Sequence, residues 1–520
     1  MTKFLASILA LAACTGTIDG AIKDDGDLTP PDCTVRGPRM VRRLTGTQIR
    51  NTLRQAFRDP AVPDGDVVTD PVVHGFQVDA TQAVVRDLDA QLIMAYAERV
   101  AEWAVMTKLG QLASCQTLES TCARSLVETL GTRLFREPLD EATVDSYAEL
   151  VTGEPTFGDG ARVAIATMIQ SPRFLYRREL GTARDGLFVL TPYELASSLS
   201  YMLTSFPPDD ELLAAAETGK LGSPADLDRE VTRLIAKAES AATFGQFARD
   251  WLQIDDLVTR AKVDPENKLT DPIRAAMLEE TSRLFVHVLR TKAPVSELFT
   301  APYTFVDGAL AGYYGMSSAG PDQQVSIPAG TRGTGVLGHG SLLARHALAD
   351  SSSPVQRGKV VRERLLCEEL APPPPNVDAN LPPLMGPATT RQRYAAHSQL
   401  DACRGCHLEL DPVGFTFEQF DGFGRRRDLD NGLPIDTHGE LAGMPAGSIP
   451  LDGLDSLSAY LATSAEVRTC VTRYLSYNSF GLDHCSTSSI DDELAAGDGS
   501  LVSVIKAIVH APHFTTRTGD

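Results

Sequence analysis

The segment DACRGCHLELDP, residues 401–412, holds two thiols and an imidazole close together, at Cys403, Cys406 and His407. Cys-x-x-Cys-His is the spacing at which haem c is attached to a polypeptide. Thiols three residues apart on a turn of helix can reach the two vinyl groups along one edge of a porphyrin, and the next imidazole can then bind the iron. The segment therefore predicts one covalent haem c, with His407 as an iron ligand.

Three other interpretations of this segment stay open. A zinc site needs four ligands, and the sequence has no second Cys/His pair at finger spacing. A redox dithiol is expected where a strand leads into a helix of a βαβ unit, which the helical pattern of this chain does not supply. A plain disulfide between Cys403 and Cys406, beside a bystander histidine, is the most serious alternative.

The opposite side of the iron is less well defined by the sequence. Met444, in LAGMPAGS, lies beside a proline in a way that resembles the methionine loop of small c-type cytochromes, and it is the candidate second ligand. A vacant position is an equally open alternative. Weaker candidates are three histidines, which more often belong to a core or a surface: His339, His346 and His438.

Residues that flank the motif are expected to surround the macrocycle. If residues 389–407 run as one helix, His397 falls on the same side as His407, which predicts a contact with the haem edge or its propionates. Gly414 is expected to let the backbone approach the ring. The apolar walls predicted after the motif are Leu410, Val413, Phe415 and Phe417.

The first residues, MTKFLASILALAAC, combine one lysine, a short apolar run and small residues. This pattern predicts a signal peptide over residues 1–13 that is too short to span a bilayer. The tetrad ending at Cys14 resembles a bacterial lipobox, which implies lipidation of Cys14; a plain secretory signal is the alternative. Residues 14–39 are polar, as in a flexible tether. We therefore expect the protein at the bacterial cell envelope, lipid-anchored and facing the periplasm or the cell surface.

The balance of charge restricts the partners. The 520 residues include 48 Lys and Arg against 68 Asp and Glu, which gives a net charge of −20. Such a chain repels nucleic acid and anionic lipid, so no nucleic-acid partner is expected. Membrane association is expected through the lipid anchor only, and the expected partner is another exported redox protein.

Export also bears on the remaining cysteines, because an oxidising compartment converts neighbouring thiols into disulfides. Of nine cysteines, six remain after the predicted lipidation and haem-attachment residues are set aside. The shortest closures along the chain indicate the disulfides Cys115–Cys122 and Cys470–Cys485, which leaves Cys33–Cys367 by elimination. Six cysteines permit 15 connectivities, so only the first two pairs have support of their own.

Helix signals dominate the rest of the chain. Thr45 with Gln48, and Thr191 with Glu194, have the spacing of capping boxes, and apolar residues recur every three or four positions after each. Strand-like alternation is short, so we predict a mainly α fold with several consecutive helical modules around one cytochrome-c-like haem segment. The predicted modules are 40–110, 111–185, 186–325, 326–440 with a Pro-rich linker and the CxxCH segment, and 441–520.

Several stretches together resemble a known family: RRLTGTQIRNTLRQAF, LTPYELASSLSYML and, most specifically, CRGCHLELDPVGFTFEQFDGFGRRR. The family consists of large exported proteins, chiefly of planctomycetes and myxobacteria, built from five consecutive modules of unknown function around one CxxCH. The resemblance implies a cytochrome-c-like role without a settled substrate. Arg426 stands where the family usually has Trp, and Met444 does not match a family-typical position. Beyond the haem segment, the positions that carry over are Asp411, Pro412, Gly414, Phe415, Glu418, Phe420, Asp421, Gly424 and Arg427.

Three functions are compatible with these observations. The first is electron transfer by a lipid-anchored c-type cytochrome. The second is a haem enzyme with an open position on the iron, peroxidase-like or oxidative, so the sequence leaves open whether the chain is an enzyme and which residues would be catalytic. The third is a non-haem structural or binding lipoprotein with a disulfide between Cys403 and Cys406.

Overall fold

The computed structural model describes residues 37–317, 323–328, 330–371, 386–397, 401–482, 490 and 498–518, without the side chains of residues 396, 397 and 401–403. Helices dominate these residues and the strands form small sheets, so the described fold is mainly helical, as predicted. The predicted module boundaries stay predictions. Outside the described residues lie the predicted signal peptide, most of the predicted tether and of the Pro-rich run, and Cys14, Cys33 and Cys485.

The first part of the chain packs around a core of its own. Its elements are β1 (Met40–Arg43), α1 (Gly46–Ala56), α2 (Asp87–Leu112), α3 (Ser120–Phe135), α4 (Glu141–Thr152), α5 (Phe157–Gln170), α6 (Pro172–Leu175) and β2 (Tyr176–Glu179). Helices α2 and α5 pack along each other, α3 and α4 pack beside α5, and β1 pairs antiparallel with β2. Apolar residues between Leu44 and Leu175, joined by Tyr201, form this first core.

The middle of the chain begins a second core. Its elements are β3 (Thr182–Arg184), β4 (Leu187–Val189), α7 (Pro192–Thr204), α8 (Asp210–Glu217), α9 (Pro224–Ile235), α10 (Ala238–Trp251), α11 (Asp271–Thr291), α12 (Glu297–Thr300), β5 (Tyr303–Val306), α13 (Gly308–Tyr314) and β6 (Gln323–Ser326). Helix α10 packs along α11, and β5 pairs antiparallel with β6.

The last part of the chain completes the second core. Its elements are α14 (Gly340–Arg345), α15 (Pro354–Val360), a π-helical turn (Val361–Leu365), α16 (Thr390–His397), α17 (Asp401–Phe415), β7 (Leu429–Asp430), β8 (Leu433–Pro434), β9 (His438–Met444), β10 (Gly447–Asp452), α18 (Gly453–Thr463), α19 (Ala465–Phe480), α20 (Leu501–His510), α21 (Pro512–Thr515) and β11 (Thr516–Arg517). Strands β9 and β10 form an antiparallel hairpin, as do β7 and β8, while β11 returns to pair with β4. Because the second core extends from α7 to α21, the helix that carries the CxxCH motif shares it with the middle and C-terminal helices.

Local signals place the helix starts where the sequence predicted them. Thr45 caps α1 and Thr191 caps α7, and in both the side chain at the third helical position bonds back to the backbone of the cap. Such reciprocal caps satisfy amide groups that a helix start leaves without partners. Among the residues that the structure describes, no helix has the length and apolar character needed to cross a membrane.

Two disulfides are described, and they correct the predicted pairing. Cys115 is bonded to Cys122, as predicted. Cys470 is bonded to Cys367, with 5.3 Å between the Cα atoms, so the predicted pairs Cys470–Cys485 and Cys33–Cys367 are wrong. The reason is long-range packing, because α19 lies against the π-helical turn before Cys367. The free energy of loop closure rises only slowly with loop length, so short separation along the chain was a weak guide.

Candidate functional site

The CxxCH motif forms the first turns of α17 (Asp401–Phe415). Residues 404–409 are exposed or half-buried, whereas most of residues 410–415 are buried. Cys406 is exposed and carries a free thiol. The backbone of Cys403 belongs to the same helix, three residues before Cys406.

His407 is held by a carboxylate of its own helix. Its Nδ1 lies 2.9 Å from Oδ2 of Asp411, four residues later and therefore on the same helical face. Asp411 is 3% exposed, so the carboxylate is shielded from water. A carboxylate acceptor keeps a proton on Nδ1, which leaves the lone pair of the neutral ring on Nε2. Metal-binding histidines commonly have this second hydrogen bond.

Helix α16 braces this face of α17. The rings of Tyr394 and His407 are 6.3 Å apart between centroids. Tyr394 is buried and its hydroxyl lies 3.4 Å from Oγ of Ser353, and burial raises the pKa of Tyr394. The guanidinium of Arg391 stacks 4.1 Å above the ring of Phe415. The two aromatic contacts fix α16 against the middle and the C-terminal end of α17.

Two glycines allow α15 to cross α17 at close range. A Cβ at Gly414 would lie 2.0 Å from the carbonyl oxygen of Pro354, and one at Gly358 would lie 2.1 Å from that of Leu410. Real Cβ atoms do not approach backbone this closely, so each helix needs glycine where it meets the other. The expectation that Gly414 lets the backbone approach a haem ring is therefore wrong.

The residues predicted as apolar walls for a haem are part of the protein's own packing. Val413 and Phe417 are fully buried in the second core. Leu410 and Phe415 are each 7% exposed, on the buried half of α17. These side chains fasten the motif helix to the fold, which explains their apolar character without a cofactor.

Arg362 connects the motif helix to the strand that carries Met444. Its Nε donates to the carbonyl of Glu409 at 2.8 Å, and its Nη2 donates to the carbonyl of Ala442 at 2.9 Å. Nη1 forms an ion pair with Glu368 at 2.6 Å. Met444 ends β9, is 6% exposed and belongs to the second core. The structure thus gives Met444 a packing role, and its role as an iron ligand stays a prediction.

A buried polar network holds the end of α17. Glu418, which is 2% exposed, accepts hydrogen bonds from Arg427 at 2.7 Å and from Ser352 at 3.0 Å, while Arg357 lies 3.8 Å away. Burial raises the pKa of Glu418, and the two arginines oppose that shift. Arg427 also pairs with Asp430 at 2.7 Å. Sequence analysis missed Ser352 and Arg357, because only the fold brings them to this network.

The other histidines considered as ligands have hydrogen bonds elsewhere. His346 is buried with its Nε2 2.9 Å from the carbonyl of Leu252, and Nδ1 of buried His339 lies 2.9 Å from Oγ1 of Thr281. His438 is exposed beside an aspartate. His397 belongs to α16, and its side chain is outside the description. Over the described ranges, no three His, Cys, Asp or Glu side chains converge as a metal-ion site.

Four protein-family models match the chain in succession, and each is described as a protein of unknown function. PSD3 (DUF1587) matches residues 42–106, PSD5 (DUF1595) matches 122–179, PSD4 (DUF1592) matches 190–316 and PSCyt3 (DUF1588) matches 333–430. The motif helix α17 lies inside the PSCyt3 match. No curated protein and no solved structure matches the chain. The chain is therefore a multi-module protein of domains of unknown function, and a fifth module over 441–520 stays a prediction.

The geometry of α17 fits a covalently attached haem. Cys406 presents an exposed thiol, and a Cβ at neighbouring Gly405 would meet nothing within 4 Å, so this face of the helix is open. Nδ1 of His407 is hydrogen-bonded to buried Asp411, which orients the ring, as is common for metal-binding imidazoles. An exposed face on a helix whose C-terminal half is packed into the core can hold a cofactor in a fixed orientation.

Proposed function

We propose that this chain is a c-type cytochrome-like protein that carries one haem c on Cys403, Cys406 and His407 and passes single electrons to an exported partner protein. The observation that carries the proposal is the hydrogen bond between His407 and buried Asp411, on the helix that presents the free thiol of Cys406. The name of the matching family model, PSCyt3, hints at cytochrome-like domains and supports the same proposal.

Each residue of α17 would have a distinct task. The two cysteines would attach the haem through thioethers, and His407 would bind the iron through Nε2. When bound, haem supplies reversible one-electron chemistry. Asp411 holds the proton on Nδ1 of His407 and makes the imidazole a stronger electron donor, which favours the oxidised state. Tyr394 keeps the imidazole ring from rotating away, because it packs beside it.

We also propose that the protein is exported and anchored at the cell envelope. The signal-like N-terminus and Cys14 support export and lipid anchoring, and haem attachment outside the cytoplasm is compatible with that route. With a net charge of −20, the chain would approach an anionic membrane only through its anchor. The partner would be another exported redox protein.

A second candidate is a haem enzyme with an open position on the iron. The hydrogen bond from His407 to the carboxylate of Asp411 favours this candidate. A strongly donating imidazole stabilises the higher oxidation states that oxidative chemistry requires. Met444 also packs in the second core, so its burial is explained without binding to iron. The two candidates differ in whether Met444 is a ligand.

An optical spectrum of the exported protein tests both candidates. The chain is produced with haem-maturation machinery, and the first candidate predicts a Soret band with a low-spin spectrum that Met444→Leu converts to high spin. The enzyme candidate predicts a high-spin ferric spectrum, cyanide binding and no effect of Met444→Leu. Met168→Leu, at another buried methionine in the first core, is the matched control. A folded, colourless protein would reject both candidates.

A further inference from the structure

The backbone between α15 and Cys367 is irregular at two neighbouring places. Residues Val361–Leu365 form a π-helical turn, after which the amide of Leu366 donates to the carbonyl of Val361 at 3.0 Å. Cys367 has a φ of +54°, in the left-handed region that is disfavoured for residues other than glycine. Turns of the π type are rare and often lie at functional sites. Neighbouring contacts must therefore hold both irregularities in place.

The π-helical turn reaches three other elements of the second core. Arg362 donates to one carbonyl of α17 and to one of β9. Nε of Arg364 donates to the carbonyl of Trp251, the last residue of α10, at 2.6 Å. On the side of α19, the hydroxyl of Tyr474 donates to the carbonyl of Glu363 at 3.1 Å. The turn therefore joins the motif helix α17 to α10 and α19.

The disulfide holds the backbone that follows this turn. Cys470 lies on α19 and is fully buried, whereas Cys367 is half-buried. A left-handed residue at a helix end turns the chain back over the last turn. Accordingly, the amide of Glu368 donates to the carbonyl of Arg362 at 2.9 Å, and its carboxylate pairs with Nη1 of Arg362 at 2.6 Å. The conformation of Cys367 thus determines whether Glu368 reaches the guanidinium group.

The guanidinium group of Arg362 depends on this ion pair. The residue is 3% exposed, and Nε, Nη1 and Nη2 each have an acceptor, on Glu409, Glu368 and Ala442 respectively. Without Glu368, the buried charge would lose the carboxylate that balances it, which costs more than the loss of an ordinary hydrogen bond. We expect the side chain then to move toward water, so that its bonds to α17 and β9 weaken together.

We propose that the Cys367–Cys470 disulfide and Arg362 form a clamp that positions the motif helix α17. The disulfide keeps Cys367 in its left-handed conformation, so that Glu368 pairs with Arg362. Arg362 in turn holds α17 against β9, and loss of the disulfide loosens a helix to which neither cysteine belongs. As a device that fixes the haem relative to Met444, the clamp rests on the proposed function. The motion of α17 itself can be measured with or without haem.

Amide hydrogen exchange of the exported full chain, followed by mass spectrometry, tests the clamp. Replacing Cys367 and Cys470 by alanine is expected to speed exchange in residues 404–415 about tenfold, because a charge-assisted hydrogen bond to α17 is lost. Exchange in α5, in the first core, should change little. Replacing Cys115 and Cys122 by alanine is the matched control and should leave exchange in residues 404–415 unchanged. Equal acceleration in α5 and α17, or none in α17, would overturn the clamp.

A second pair of variants separates the clamp from the general effect of losing a cross-link. Cys367→Gly and Cys367→Ala, each combined with Cys470→Ala, remove the same closed loop, but glycine adopts a positive φ without the steric penalty. Exchange in residues 404–415 is expected to be about fivefold slower in the glycine variant than in the alanine variant. Equal exchange in the two would show that the conformation of Cys367 does not act on α17, and would reject the clamp.

Arg362→Met keeps the disulfide, so it tests the clamp even if the cysteine variants do not fold, which thermal melting curves show. Alone, it is expected to speed exchange in residues 404–415 about tenfold. Added to the alanine replacements of Cys367 and Cys470, it should add less than about twofold, because both changes open the same contact. No effect of Arg362→Met, or effects that multiply, would overturn the clamp. A folded, colourless protein would reject the proposed function, while the exchange rates still decide on the clamp.

Discussion

His407 and Asp411 lie one turn apart on α17, with 2.9 Å between Nδ1 of the imidazole and Oδ2 of the carboxylate. The imidazole is half-buried while the carboxylate is 3% exposed, so the hydrogen bond reaches from the surface of the helix into its packed side. In such surroundings a bond to an ionised acceptor is stronger than one in water. The pair fixes both the tautomer and the direction of the ring that the proposed function requires.

Asp411→Asn tests the electronic effect of this pair. A neutral amide accepts the Nδ1 proton more weakly, so His407 becomes a poorer donor and the oxidised state loses stabilisation. The reduction potential of the haem protein is expected to rise by about 60 mV, which corresponds to a tenfold change in the one-electron equilibrium. Spectroelectrochemical titration measures it. Asp428→Asn, in an exposed ion pair with Arg426, is the control. Equal reduction potentials for both variants would show that Asp411 does not set the potential of the haem.

Gly414→Ala tests the helix crossing. The added methyl group would lie 2.0 Å from the carbonyl oxygen of Pro354, so α15 and α17 must separate. The free energy of unfolding is expected to fall by about 2 kcal/mol, as in other overpacked sites. Gly405→Ala, on the same helix but with nothing within 4 Å of the new atom, should be neutral or slightly stabilising. Urea denaturation compares them, and equal midpoints would contradict the close crossing.

The corrected disulfide has a clear stability consequence. Cys367 and Cys470 are separated by 103 residues, and a closed loop of that length contributes about 4.7 kcal/mol in the chain-entropy treatment. The 7-residue separation of Cys115 and Cys122 gives about 2.5 kcal/mol in the same treatment. Replacing both cysteines of the long pair by alanine should therefore destabilise the protein more than replacing both of the short pair.

Peptide mapping without reduction provides the direct test of that pairing. A linked peptide containing Cys367 and Cys470 is expected. A linked peptide containing Cys470 and Cys485 would restore the pairing predicted from sequence distance. With Cys367 assigned, Cys33 and Cys485 are the two cysteines of the original six that the described disulfides leave over.

His346 is expected to make the protein sensitive to acid. Burial lowers the pKa of His346 to about 3, against 6.5 for an ordinary histidine. Between these values the unfolded chain binds more protons, so stability falls as the pH decreases from about 6.5 toward 3. His346→Gln keeps an N–H that can donate to the carbonyl of Leu252 but removes the titration.

The measurement is the free energy of unfolding at pH 7 and pH 5. The wild type is expected to lose about 2 kcal/mol more than His346→Gln over this interval, because below pH 6.5 the unfolded wild-type chain takes up a proton on His346 and the folded protein does not. Carboxylates titrate in both proteins and cancel in the comparison. An identical loss in the two proteins would show that His346 is not held neutral by burial.

Local structure was predictable because its causes are local. Thr45 and Thr191 cap helices as their sequence spacing indicated, since a capping box involves only residues within one turn. Cys115 and Cys122 pair across a short loop for the same reason. The mainly helical character followed from the period of the apolar residues.

Contacts between distant segments were not predictable in this way. Gly414 was assigned to a cofactor, but it faces Pro354, which lies 60 residues earlier in the chain, and the sequence near Gly414 contains no sign of α15. Cys470 was paired by proximity, yet α19 packs on the turn before Cys367. Asp411 was identified through the family resemblance alone. Its spacing of four residues from His407 on a helix could also have indicated that the two side chains are in contact.

The intact mass of the exported protein, followed by mapping of the peptide that contains residues 401–415, tests the central claim most directly. The account predicts that this peptide is heavier by the mass of one haem and that the mass remains after denaturation, because two thioethers join the haem to Cys403 and Cys406. A peptide of unmodified mass, or one lighter by two hydrogens from a bond between the two cysteines, would contradict it.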